Sequence, residues 1–282
     1  MEKHNKIRNP RRTIVHAVLY ILGIIALIWA LLPILWMVLS SLKTQAGMFS
    51  MPPQFIFKPT FQTYAYMFSQ RGNFVHFLLN STIAAVTTTV VSLALGTLGG
   101  YALARGKFKG KNSISFWIIS TRMAPIPAVI LPIYLIFAKL NLLGTMTGLV
   151  YAHTTFNLPF ALWMMMTFFK EVPVAIEESA MIDGCSKFQT FLKISLPLAA
   201  PGLVATGILC MMFSWNDFVF ASILTSTQTQ TTPIAASLLI KQVGISWGQA
   251  MATGTVIITP MIIGGIAVRK YLVRGLSMGA VK

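Results

Sequence analysis

The sequence predicts an all-α, polytopic membrane protein with six transmembrane helices. Hydrophobic residues make up 55% of the 282 and charged residues only 10%, against roughly 45–50% and about 25% in soluble domains. Six segments stay apolar over the ~20 residues that a helix needs to cross the hydrocarbon with its backbone bonds closed internally. The Lys and Arg residues between these segments fall unevenly on alternate connections.

A polar tail over residues 1–16 precedes the first span, the charge-free run from Ala17 to Leu42. That run is too long for a signal-peptide core and lacks a small-residue cleavage site, so it is read as retained. The second span lies within Gly72 to Ala104, opened by Asn80, Ser81 and Thr82 or somewhat earlier, and its Thr and Gly content suits close helix packing in lipid. The third covers Ile114 to Ala138, interrupted by Arg122, Pro125, Pro127 and Pro132. The fourth is Leu143 to Phe168, the fifth Leu196 to Phe220 and the sixth Ala250 to Val268. Two connections are long. Lys43 to Asn73 contains Pro52, Pro53 and Pro59 and is expected to form an irregular cap with a short helix around Phe61 to Phe68. The polar run TSTQTQTT begins at Thr225 and leads into Pro233 to Ile240, which is too short to span and reads as a dipping or interfacial segment.

With the N-terminus in the cytoplasm, sixteen of the 22 Lys and Arg residues fall on cytoplasmic segments. Five (Lys43, Lys58, Arg71, Lys139 and Lys241) fall outside and Arg122 lies within a span. The positive-inside bias therefore predicts cytoplasmic termini, including a tail over residues 269–282. The net charge of +16 does not imply a nucleic-acid partner, because the basic residues sit between long apolar runs instead of on one solvated face. Cys185 and Cys210 suggest no disulfide framework, and the four histidines show no pair at metal-ligand spacing, so no metal site is expected. GKFKGKN at Gly106 to Asn112 is one residue short of a phosphate-binding loop and has Asn112 where Ser or Thr would hold magnesium. An intramembrane hydrolase would need a nucleophile motif or zinc signature, and the chain has neither Gly-x-Ser-x-Gly nor His-Glu-x-x-His.

Four of the six acidic residues lie between Glu171 and Asp183. Pro173 suits the first turn of a helix, and Val174 to Asp183 reads as a short helix with Ile176, Ala180 and Met181 as a small apolar patch and Glu177 and Glu178 in water. Gly184 ends it in the left-handed conformation. Ser186 with Gln189 fits a capping box that opens a second helix, on which Phe188, Phe191 and Leu192 share a face. The bland reading is a solvated loop. An acidic, partly apolar knuckle on an otherwise basic surface reads better as a docking element.

The spacing of Glu178, Ala180, Gly184, Ile194, Leu196 and Pro197 resembles the EAA loop of binding-protein-dependent ABC importer permeases, with Ser179 in place of one alanine. The six spans, SWNDF at Ser214 to Phe218 and the tail YLVRGLSMGAVK look like the carbohydrate-uptake branch, particularly the smaller permease of maltose-type and polyol-type systems. The resemblance implies the type I importer permease fold over residues 17–282, with residues 173–197 as the coupling loop. It implies an inner-membrane location, a second permease, two nucleotide-binding ATPase subunits and a soluble binding protein. The implied substrate is a carbohydrate or polyol, with glycerol phosphate or a peptide as the alternative. ATP and Mg would be held by the partners, with no cofactor on this chain. Glu177, Glu178, Ala180, Met181, Asp183, Gly184 and Phe188 would dock the ATPase subunit. For the substrate pathway the candidates are Arg122, Asn157, Trp215, Asn216 and Asp217. Arg122 lines a pathway or gate, or else pairs structurally with a helix end. Trp215 stacks on a solute, or else belongs to an interfacial belt.

Overall fold

The computed structural model describes residues 10–69, 72–241 and 244–278, with side chains for residues 14–69, 72–239 and 246–269. The expected cytoplasmic tails over residues 1–9 and 279–282, and the side chains beyond Arg269, lie outside the described residues.

The chain runs α1 (Pro10–Ser41), α2 (Gln45–Met48), α3 (Gln62–Phe68), α4 (Phe74–Arg105), α5 (Lys111–Thr121), α6 (Ile126–Lys139) and α7 (Met146–Glu171). It continues through α8 (Val174–Ile182), α9 (Lys187–Thr190), a π turn (Phe191–Ser195), α10 (Leu196–Leu198), α11 (Ala200–Trp215), α12 (Val219–Leu224) and α13 (Thr232–Ser237). A two-residue-per-strand hairpin pairs Ile240 with Ile245 and Lys241 with Gly244 ahead of α14 (Trp247–Met278). Helices α1, α4 and α14 are each long and apolar enough to cross a membrane. Three bent pairs bring the number of crossings up to six.

The bundle is built on α4, α7 and α11, and glycine sets how closely they approach. A Cβ at Gly96 would lie 2.7 Å from Ala161 Cβ, and one at Gly100 would lie 2.8 Å from the Met166 amide nitrogen. Backbones therefore meet directly across the α4–α7 seam, which multiplies dispersion contacts where no hydrophobic effect between helices is available in lipid. Gly202 of α11 lies flat against the Phe168 ring of α7, and Gly207 faces Leu93 of α4. A buried cluster of Phe137, Leu149, Phe220, Leu224 and Ile234 packs α6, α7, α12 and α13 at one end of the bundle. Met165, Phe169, Phe191 and Ala199 pack the other end. Helix α1 is held chiefly along α14.

Two expected elements differ. The third span is two helices, of 11 and 14 residues, meeting at 90°. Pro125 has no amide proton to continue α5 and becomes the N-cap residue of α6, so the chain turns at Arg122–Pro125. The fifth crossing is the 16-residue α11, bent 73° from the segment before it and closed by a break at Asn216–Phe218. The second span opens at Phe74, within the expected Gly72–Ala104 and ahead of Asn80. Asn80 and Ser81 instead staple the polar loop to α4: Asn80 Nδ2 donates to Gln228 O and Gln230 O, both at 2.9 Å, and Ser81 Oγ accepts from Thr232 N at 2.8 Å. The expected short helix around Phe61–Phe68 corresponds to α3, and the stretch Pro233–Ile240, read as a dipping or interfacial segment, overlaps the six-residue α13.

Candidate functional site

Two places combine polar chemistry with exposure. The first is the helix–turn–helix loop between α7 and α11. Pro173 caps α8, which ends in a two-bond glycine motif: Cys185 N donates to Ala180 O (3.0 Å) and Gly184 N to Met181 O (3.1 Å), with Gly184 at φ +93°. Ser186 Oγ accepts from Gln189 N while Gln189 Oε1 accepts from Ser186 N, so the reciprocal capping box is present. These bonds hold the short helices in a fixed relation without needing a core of their own.

On this frame Ile176, Met181, Ile182, Phe188 and Leu192 are exposed, Ile182 at 85% and Phe188 at 64%. Glu178 and Asp183 are exposed beside them. Ala180 is buried, and Phe191 turns inward against Tyr101 and Phe169 with ring centroids 4.8 and 6.1 Å away. The three-residue apolar face expected on the second helix is thus split.

Glu177 requires a larger correction. Expected in water, it is 4% exposed. Arg105 Nε donates to Glu177 Oε2 at 2.8 Å, Ser195 Oγ donates to Oε1 at 2.8 Å, and the Tyr101 hydroxyl reaches Oε2 at 3.4 Å. Arg105 Nη2 also donates to Val172 O at 2.6 Å. A carboxylate at the base of α8 faces the bundle, and only a charge partner with further hydrogen bonds makes its burial tolerable. Arg105, read from sequence as topogenic charge, supplies that partner. No sequence spacing links residues 101, 105, 177 and 195. The nearest signal is that a carboxylate one residue from another on a nine-residue helix cannot share its face.

The second place is the elbow between α5 and α6. The Arg122 guanidinium lies against a pair of rings that pack edge-on with centroids 5.2 Å apart, 4.5 Å from the Phe160 centroid and 4.4 Å from that of Phe213, and Nη1 donates to Phe156 O at 3.2 Å. Cation–π contact with both rings is how a charge at a broken crossing is held without a carboxylate. The elbow opens on a cleft of about 410 Å³ lined by Thr121, Arg122, Thr155, Phe156, Phe213 and Asp217 among others. Irregular backbone at membrane depth is tolerated where it lines such a cavity.

Of the remaining pathway candidates, Asp217 lines the cleft, but its oxygens are engaged. His153 Nε2 donates to Oδ2 at 3.1 Å and the Ala221 amide to the same oxygen at 3.0 Å. Trp215 is 3% exposed and donates Nε1 to Ile257 O at 3.1 Å, pinning α11 to α14, so its ring presents no open face to a solute. Asn157 is fully buried and donates to Ser214 Oγ at 2.8 Å. Asn216 is exposed and returns its amide to Met212 O. The expected group thus divides into Arg122 and Asp217 at the cleft, Trp215 and Asn157 in helix packing, and Asn216 exposed at the end of α11.

A bundle of broken crossings with a cleft at its elbow and a rigid knuckle at one end describes a membrane permease. Residues 92–278 match the family model of the binding-protein-dependent transport system inner membrane component, and the chain belongs to that family. It is 36% identical over 252 residues to the probable ABC transporter permease protein y4oR of Sinorhizobium fredii, covering 89% of this chain and 90% of that protein. It is 31% identical over 276 residues to the trehalose/maltose transport system permease protein MalG of Thermococcus litoralis, covering 96% and 99%. The trehalose transport system permease protein SugB of Mycobacterium tuberculosis is 35% identical over 260 residues, covering 90% and 93%. A bacterial ABC transporter that imports the acidic polysaccharide alginate contains a chain of the same fold, with TM-score 0.77 and 23% identity over 94% of this chain and 98% of that one. The fold is accordingly that of an ABC importer permease of type I, and ATP is hydrolysed by a separate subunit.

Proposed function

We propose that this chain is one of two permease subunits that form the pathway of an ATP-driven importer for a sugar, oligosaccharide or polyol. In this reading a soluble binding protein delivers the solute, and two ATPase subunits, which hold ATP and Mg, grip α8. Their closure moves α8 and re-exposes the pathway. The observation that carries the proposal is the knuckle itself. It is a nine-residue helix stopped by a left-handed glycine and followed by a capping box, exposing Ile182, Phe188 and Met181 with Glu178 and Asp183 around them. Apolar residues displayed on so small and rigid an element need a partner surface. The charge asymmetry of the connections supports cytoplasmic termini and a cytoplasmic knuckle. The named solutes of the trehalose/maltose and trehalose relatives support a carbohydrate substrate.

The test has two arms. Ile182→Cys in the native membrane should cross-link to an ATP-hydrolysing subunit, and no such product under transport conditions would defeat the docking reading. In the reconstituted complex, trehalose, maltose, diacetylchitobiose and sorbitol are compared with glycerol 3-phosphate and a tripeptide for stimulation of ATP hydrolysis. Stimulation by one of the latter pair alone would replace the carbohydrate assignment.

A further inference from the structure

We infer that Glu177 is the joint through which displacement of the knuckle is delivered to α4, with Arg105, Ser195 and Tyr101 as positioning residues for coupling. The inference rests on the docking reading of α8 and goes beyond it, because it concerns what lies behind the docking face.

Glu178 and Glu177 are adjacent in sequence but point opposite ways, one exposed and one buried. The buried carboxylate gathers three segments at one point. Arg105 and Tyr101 come from the last turns of α4, Ser195 from the end of the π turn leading to α11, and Glu177 from α8. Arg105 adds a fourth anchor, the carbonyl of Val172, where α7 hands over to α8. The joint therefore lies where all the chain segments entering and leaving the knuckle converge on α4. Charge-assisted bonds of 2.8 Å at fixed angles transmit displacement as a rigid contact, which an apolar patch of similar size does less well because it slides. The π turn takes part in the geometry. Its extra residue per turn places Ser195 Oγ on Glu177 Oε1 while Phe191, at its other end, packs on Tyr101, so both arms of the joint bear on the same turn of α4. Lys111 Nζ donates to Ala104 O and Gly106 O, which satisfies the C-terminal carbonyls of α4 and keeps Arg105 on an unfrayed helix end.

The test measures the distance between spin labels at Val90→Cys on α4 and Ile182→Cys on α8, with Cys185→Ser and Cys210→Ala, in the assembled transporter with partner permease and ATPase subunits. Spectra are taken without nucleotide and after trapping with Mg-ATP and orthovanadate. With Glu177 intact, one narrow distribution is expected in both states. With Glu177→Gln the trapped-state distribution should at least double in width or split, while Ile182→Cys still cross-links to the ATPase subunit. A trapped-state width equal to that with Glu177 intact would overturn the inference and leave the docking reading standing. Loss of the cross-link with Glu177 intact would remove the docking reading and the inference together. Where Glu177→Gln fails to assemble, Arg105→Lys is measured in its place: it keeps the charge but not the fork between Glu177 and Val172, and should broaden the trapped state likewise. An unchanged width there would equally overturn the inference.

Discussion

Replacing Gly100 by Ala places one methyl group where α4 and α7 touch. The new Cβ would lie 2.8 Å from Met166 N, 2.9 Å from Met165 Cβ and 3.0 Å from Leu162 O. Two of these three atoms are backbone and cannot rotate away. Comfortable contact begins at about 3.5 Å, so the helices must separate by roughly 0.7 Å along a seam that also holds Gly96 against Ala161. Overpacking of this kind costs about 1–3 kcal/mol, partly offset by the ~0.8–1.0 kcal/mol by which Ala exceeds Gly in helix propensity. Gly23→Ala is the internal control, since nothing lies within 4 Å of its Cβ and only the propensity gain applies. The two variants should therefore differ by about 1–3 kcal/mol, with Gly100→Ala the less stable. Thermal unfolding of each purified chain in one detergent, followed by tryptophan fluorescence and by the monodisperse fraction, measures the difference. Equal midpoints for Gly100→Ala and Gly23→Ala would show that the seam yields freely and would refute the claim that glycine sets helix separation here.

Gly184 sits in open space at φ +93°, so its penalty on substitution is conformational alone; Gly184→Val should lower both stability and ATPase cross-linking, and Gly184→Asn should retain most of each. Ser186→Ala removes one half of the capping box and should cost about 0.5–2 kcal/mol, seen as faster amide exchange confined to α9 and the π turn. Arg122→Met should preserve much of the packing against Phe160 and Phe213 but free the Phe156 carbonyl, whereas Arg122→Lys keeps the charge and loses the planar guanidinium. Uptake lost in the Met variant and kept in the Lys variant would assign Arg122 an electrostatic role at the elbow; the reverse would make it a wedge. Trp215→Phe removes the bond to Ile257 O and should loosen α14 from α11, read as a lower midpoint with unchanged solute selectivity.

The elements that could be read from sequence are those whose chemistry is local. The Gly184 stop, the Ser186–Gln189 box and the Pro173 start each depend on residues within a few positions of one another, and all three stand as expected. Long charge-free runs likewise declared the crossings, because hydrocarbon allows no other composition. Contacts between distant segments were hidden. Glu177 looked like a twin of Glu178, because nothing in a linear pattern shows that Arg105, 72 residues upstream, waits behind α8. Trp215 beside an amide and a carboxylate resembled a sugar platform, yet the direction of its ring is set by α14, over 30 residues further on. The elbow was half visible: three prolines and an arginine marked an interruption, but nothing in the linear pattern shows that Arg122 comes to rest against Phe160 and Phe213.

Helix α1 extends over 32 residues and is fastened chiefly along one edge, with Trp29 at 82% exposure on its free side. Such an attachment makes it an interchangeable part. Its close glycine contact lies near its end, where a Cβ at Gly254 of α14 would come 2.7 Å from Met37 Sδ and where Ser41 bonds Tyr64, so the apolar sequence before Trp36 can drift as long as length and oiliness persist. A foreign single-pass anchor grafted ahead of Trp36 would be a workable replacement for displaying the rest of the molecule in a bilayer.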